Sequence, residues 1–281
     1  MSIAAPAGSR ALALVMACHP VPTVGVTTLV TVLAIVADNT WQSVLLVALA
    51  VLAGQLSIGW SNDLIDAGRD TAVHRSDKPL AAGTISRGAV TAATSVAAAA
   101  TVPLSLALGW RAGVVHLVAV GSGWTYNLLL KSTVLSVLPY VVTFGLLPAV
   151  ATLSLATHPW PPFWVLAAGA FIGVAAHFGN VVPDLDEDAA AGVRGLPHRV
   201  GRVGSGVAAC GAALAAIAAV LLGQGGPASL LDWAVSVGAV ALAASALLAL
   251  RRNPRSEAAF YSSMAIAALG IVLIATSGSL V

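Results

Sequence analysis

The chain has 281 residues, 58% of them hydrophobic and only 9% charged, with a mean hydropathy of +0.93. A soluble domain carries roughly 25% charged residues, so neither a water-facing surface over this chain nor a sizeable soluble domain is compatible with its composition. The net charge of +2 is too small to imply a nucleic-acid partner, and the alternating strands of a membrane barrel are absent, which leaves an all-α, polytopic protein in membrane lipid, read as one domain over residues 1–281.

A bilayer-spanning helix needs about 20 apolar residues. Nine transmembrane helices in a bundle are expected, at residues 11–37, 42–61, 87–108, 112–130, 133–155, 162–182, 203–222, 229–250 and 258–278. The first follows a single basic residue, Arg10, and runs on past His19-Pro20, so it reads as a span rather than a cleaved leader. Cys18 and Cys210 fall inside predicted helices and read as small apolar packing residues. The breaks between helices are short except for two polar stretches, 62–86 and 183–202.

Charge assigns the sides. Of the 13 basic residues, all but Arg111 fall at the N-terminus or in the loops that follow even-numbered helices. That bias places the N-terminus and those loops in the cytoplasm of a multi-pass cell-membrane protein. Trp41, Trp110, Trp160, Trp164 and Trp233 map to the opposite interface and read as an aromatic belt. Trp60 and Trp124 lie instead near cytoplasmic helix ends. Arginine, alanine, valine and glycine dominate, a bias common in GC-rich bacterial genomes.

The acids concentrate where the chain is otherwise least polar. Asp63, Asp66, Asp70 and Asp77 lie in the first long stretch, and Asp184, Asp186, Glu187 and Asp188 in the second. If the second helix continues through its polar end, positions 63, 66 and 70 share one face. Asn180, Asp184 and Asp188 step by four, again along one face. Stacked like charges repel, and more so near lipid. Hard divalent cations remove that repulsion, and Mg²⁺ is held by one or two carboxylates, waters and substrate phosphates. Two facing clusters would hold ions with a diphosphate between them. Arg75 and Lys78 follow the first cluster, Arg194 and Arg199 follow the second, and Lys131 ends the fourth helix close after Tyr126, all of them donors for such a group.

With these residues in view, the chain resembles the UbiA superfamily of intramembrane prenyltransferases. Asn62-Asp63-x-x-Asp66-x-x-x-Asp70 matches that family's first aspartate signature, and "HRSDKPLAAGTIS" resembles its continuation. "NVVPDLDEDAAAGVRGLPHRVG" resembles its second aspartate motif, with Asn180 where an aspartate is often found. "YNLLLKSTVLSVLPY" and "HPVPT" resemble its Tyr…Lys segment and the start of its first helix. The resemblance implies a nine-helix bundle, two four-helix halves plus one, whose active site opens near the cytoplasmic face. It implies Mg²⁺ as cofactor, an isoprenyl diphosphate as substrate and a lipophilic acceptor, aromatic or otherwise. Asp63, Asp66, Asp70, Asp184 and Asp188, with Asn62 and Asn180, would ligate metal, and Arg75, Lys78, Lys131, Arg194, Tyr126 and Asn62 would serve the diphosphate. Trp60, Trp124 or Tyr126 would face the allylic cation. His74, His177 and His198 show no metal spacing and are left with acid–base work alone. A membrane terpene cyclase on the same scaffold is the nearest alternative. A transporter is disfavoured because the acids gather at one membrane face rather than at mid-depth, and a non-catalytic scaffold would not need paired acid clusters.

Overall fold

Long apolar runs with no period of two can satisfy their backbone inside a bilayer only as helices, and the computed structural model, which describes residues 7–278 and 280, is built from them. In chain order they are α1 (Ala7–Ala17), α2 (Pro20–Val36), α3 (Trp41–Ala72), α4 (Arg87–Ala107), α5 (Trp110–Thr125), a π turn (Tyr126–Leu130), α6 (Leu138–Leu153), α7 (Phe163–Val181), α8 (Leu185–Ala190), α9 (Leu196–Gln224), α10 (Leu230–Arg252) and α11 (Ala258–Ser277). Among the described residues, seven segments are long and apolar enough to cross a bilayer: α3, α4, α5 with its π turn, α7, α9, α10 and α11. The pair α1–α2 qualifies only as a bent unit, and α6 has 16 residues, roughly 24 Å of helix.

Several expected boundaries move, each for a local reason. The run 11–37 is two helices meeting at 63°. Pro20 disfavours helical backbone in the residue before it, and His19 adopts a left-handed conformation, φ 55°. The run 42–61 continues without interruption to Ala72, carrying the aspartates on regular helix. The run from 133 starts only at Leu138, because the π turn and the turns after it occupy 126–137. The run from 203 starts earlier, at Leu196, with a non-helical residue at Gly201. Asn180, Asp184 and Asp188 do not share one continuous helix. The segment α7 ends at Val181, Pro183 lies in the turn, and Asp184 caps the short α8.

Consecutive helices pack as neighbours, and α7, α9 and α11 pack together behind α2 and α6. Small side chains let backbones approach where no hydrophobic driving force separates protein from lipid. At Gly173 a β-carbon would collide with the Tyr140 carbonyl of α6, so glycine there brings α7 close enough for His177 to meet Tyr140. Trp41, Trp110, Trp160 and Trp233 are exposed, as an interfacial belt requires. Trp164 is half-buried, with its ring against Gly223 of α9. Both cysteines are free and buried.

Candidate functional site

The last two turns of α3, the loop 73–86, the π turn, the end of α7 and α8 converge on one cavity of about 580 Å³, within the roughly 300–1,000 Å³ range of small-molecule sites. Its rim carries Asn62, Asp66, Asp70, Arg75, Lys78, Lys131, Asn180, Asp184 and Asp188. Its body is apolar and aromatic, with Leu29, Ile58, Phe144, Ile172, Phe260 and Ile271 among its walls. The two acidic stretches, 118 residues apart between Asp66 and Asp184, therefore face one space.

Ion pairs tie that rim together. Asp66 is buried and paired with both Arg69 and Lys131. The Arg75 guanidinium donates to both oxygens of Asp77, at 2.9 and 2.8 Å, and its Nη2 lies 3.6 Å from Asp184 Oδ1. Pairing with Asp77 raises the Arg75 guanidinium above its ordinary value, and the same bonds hold the Asp77 carboxyl below the usual range. Desolvation at the rim pushes Asp184 up, opposed by Arg75. Desolvation likewise raises Asp188 to about 6, with Lys131 opposing and Asp184 adding to the rise.

Local conformation aims these groups. In the π turn one extra residue per turn closes Lys131 N–H onto the Tyr126 carbonyl at 3.0 Å. That turn faces Asn127 and Lys131 toward α3 and Tyr126 toward Tyr140 of α6 and His177 of α7. Asn127 donates to the Ile58 carbonyl (2.9 Å) and Ser61 Oγ (3.0 Å) and accepts from Asn62 (3.1 Å). Tyr126 and Tyr140 meet edge to face at 5.2 Å, and Tyr140 stacks on Phe144 at 6.2 Å. All three line the cavity.

Four of the expected residues sit elsewhere. Trp60 donates its indole N–H to the Leu14 carbonyl at 2.9 Å and packs beside α1 and α4. Trp124 donates to Ser57 Oγ at 3.2 Å. Neither lines the cavity, whose aromatic wall includes Tyr126, Tyr140 and Phe144 instead. Arg194 is exposed and off the lining. Asp63 is buried behind the rim rather than on it. His177 Nε2 and Ser136 Oγ are hydrogen-bonded at 3.1 Å, within the wall.

Some groups at the rim and behind it lack partners. Both Asp63 oxygens and Asp70 Oδ2 are buried without a hydrogen bond among the described residues. An unpaired buried carboxylate is costly, and its chemistry suits a hard cation. No three His, Cys, Asp or Glu side chains among the described residues converge closely enough to enclose an ion by themselves. A cation there would need further oxygens from ligand or water. Reading by sequence did not single out Arg69, Asp77, Asn127, Tyr140 or His19. The first two follow from charge spacing, i to i+3 and i to i+2. Tyr140 closes the Tyr…Lys stretch, and His19 immediately precedes a helix-starting proline.

An apolar cavity with a paired acidic and basic rim, set in a bundle of long apolar helices, fits a multi-pass membrane protein with one amphiphilic cavity. The UbiA prenyltransferase family matches residues 23–270, and the chain belongs to that family. The fold agrees with that of a UbiA homologue from Archaeoglobus fulgidus bound to GPP and Mg²⁺, at 16% identity and TM-score 0.70, covering 96% of this chain and 100% of that one. It also agrees with an apo UbiA homologue from Aeropyrum pernix K1, at 19% identity and TM-score 0.68, covering 90% and 96%. A digeranylgeranylglyceryl phosphate synthase matches at 16% identity and TM-score 0.64, covering 96% and 98%. A comparison with curated protein sequences finds no match.

Proposed function

We propose that this chain is a Mg²⁺-dependent prenyltransferase, moving an isoprenyl group from an allylic isoprenyl diphosphate to a lipophilic acceptor. The observation that carries this reading is the single cavity whose apolar body opens onto both acidic stretches. The chain is one domain of nine membrane crossings, with α1–α2 as a bent first crossing and α6 as a short one. The rim faces the cytoplasm and the N-terminus lies on the same side, as the distribution of basic residues supports.

The orphaned carboxylate oxygens of Asp63 and Asp70 and the acids opposite them fit a divalent ion. Asn62, Asp66, Asp70, Asn180, Asp184 and Asp188 would hold Mg²⁺, with Asp63 behind them, and the ion would supply charge neutralisation to the diphosphate. The chain's own cations do the rest. Lys131, Lys78 and Arg75 meet the diphosphate as the bond between its oxygen and the isoprenyl C1 breaks and the electron pair leaves with oxygen. Asp66 keeps Lys131 aimed, and Asp77 keeps Arg75 aimed. The apolar body excludes water from the allylic cation, and the Tyr126 and Tyr140 rings stabilise it by about 0.5–2 kcal/mol each. Burial of a ten-carbon tail contributes on the order of 8 kcal/mol gross.

The test is Mg²⁺-dependent diphosphate release from geranyl, farnesyl and geranylgeranyl diphosphates in nanodiscs. Asp66→Ala and Asp184→Ala each abolish it, and undiminished release in both would overturn the two-cluster site. Incubation with diphosphate substrate alone separates transfer from cyclisation, since a cyclic terpene formed without acceptor would replace this reading with the cyclase.

A further inference from the structure

We propose that His19 is a positioning residue for the diphosphate, holding Lys78 at the cavity rim from the break between α1 and α2. This inference rests on the diphosphate-binding reading above. His19 lines the cavity, and its Nε2 lies 3.1 Å from Lys78 Nζ. An ammonium has no acceptor lone pair, so Lys78 donates and the imidazole accepts. The loop bearing Lys78 is separately closed by Ala82 N–H on the Lys78 carbonyl at 2.9 Å and by Thr84 Oγ1 on the Pro79 carbonyl at 3.1 Å. The backbone of that loop is thus set, and the free end of the lysine stem is set by His19.

The geometry around His19 is costly and fixed from several sides. A left-handed backbone at a non-glycine residue persists only where its surroundings enforce it, and φ at His19 is 55°. The Thr23 hydroxyl donates to the Cys18 carbonyl at 2.8 Å. That carbonyl presses on Gly59 of α3, where any β-carbon would collide with it. Trp60, the next residue, clamps α1 through the Leu14 carbonyl. Three contacts from α2 and α3 therefore hold the break at the level of Asn62, one helical turn from Asp66. A lysine carries about 2 kcal/mol of rotamer freedom. Restricting it before the ligand arrives raises affinity without adding a contact to the ligand.

The test compares His19→Gly, which keeps the left-handed backbone at no steric cost, with His19→Gln, whose side-chain oxygen can accept from Lys78. Two probes are titrated into each protein in Mg²⁺-containing nanodiscs: inorganic diphosphate, which needs the rim, and farnesol, which needs only the apolar body. His19→Gly weakens diphosphate binding about tenfold, the effect of one hydrogen bond to a charged group. It leaves farnesol binding unchanged, and His19→Gln restores most of the diphosphate affinity. Equal loss for both probes would mark a structural role and overturn the proposal, as would unchanged diphosphate affinity in His19→Gly. Absence of diphosphate binding by the unsubstituted protein would overturn the prenyltransferase reading itself, and the positioning role with it.

Discussion

Arg75 pairs with Asp77 of the first acidic stretch and lies 3.6 Å from Asp184 of the second, so Arg75→Gln tests whether the two rims act as one site. In the resting protein its Nη2 lies 3.6 Å from Asp184 Oδ1. At an effective dielectric of about 20, two unit charges at that distance interact by about 4.6 kcal/mol. The Asp184 side chain is 49% exposed, and solvent screening leaves roughly 0.2–1 kcal/mol. The substitution acts with opposite sign on two ligands. A divalent ion alone no longer competes with a guanidinium for Asp184, so its affinity rises several-fold. Diphosphate loses a cationic donor, so its affinity in saturating Mg²⁺ falls about tenfold, the equivalent of about 1.4 kcal/mol. Isothermal titration of Mn²⁺ or Mg²⁺ alone, then of inorganic diphosphate, reads both numbers in the same nanodisc sample. If both affinities fall together, or neither changes, Arg75 does not join the two rims and the electrostatic argument fails.

Metal affinity will depend on pH through Asp188. With its carboxyl raised to about 6, the group is largely ionised at pH 7.5 and about nine-tenths protonated at pH 5. Because a ligand must be deprotonated to bind, divalent-ion affinity falls about tenfold as pH drops across that window. Asp188→Asn flattens the dependence, and an equally steep profile in that variant would assign it to another group. Trp124→Phe removes one half-buried hydrogen bond to Ser57. It costs about 1 kcal/mol of stability, read as a lower midpoint of thermal unfolding, while diphosphate release from geranyl diphosphate stays unchanged. A large fall in turnover with stability intact would return Trp124 to the site.

The helical spans and the acidic rim of this protein are legible in its sequence because two signals are local. Apolar runs of span length report a helix wherever they occur, and carboxylates are too costly near lipid to collect without purpose. Asp66, Asp70, Asp184, Asp188, Lys78 and Lys131 were readable on those grounds, as was the position of Arg75 between the acid clusters. What each side chain faces depends instead on helix phase and on neighbours far away in sequence. Trp60 stands two residues from both Ile58 and Asn62, about 200° around α3, so the residue beside the motif points away from the cavity and clamps α1. Asp63 lies within about 20° of Asp70 around α3, yet it is buried behind the rim, so the elements packed over it rather than helix phase take it off the cavity. The π turn that delivers Lys131 to Asp66 and the left-handed His19 that meets Lys78 leave no periodic trace. Both conformations are costly for an isolated chain and persist because α3 packs against them. Composition and spacing alone therefore determined a helical membrane chain with two acid-rich segments. Only the tertiary structure decided that those segments close one rim, and which neighbours of the motif belong to it, because that outcome depends on contacts between α3 and helices distant in sequence.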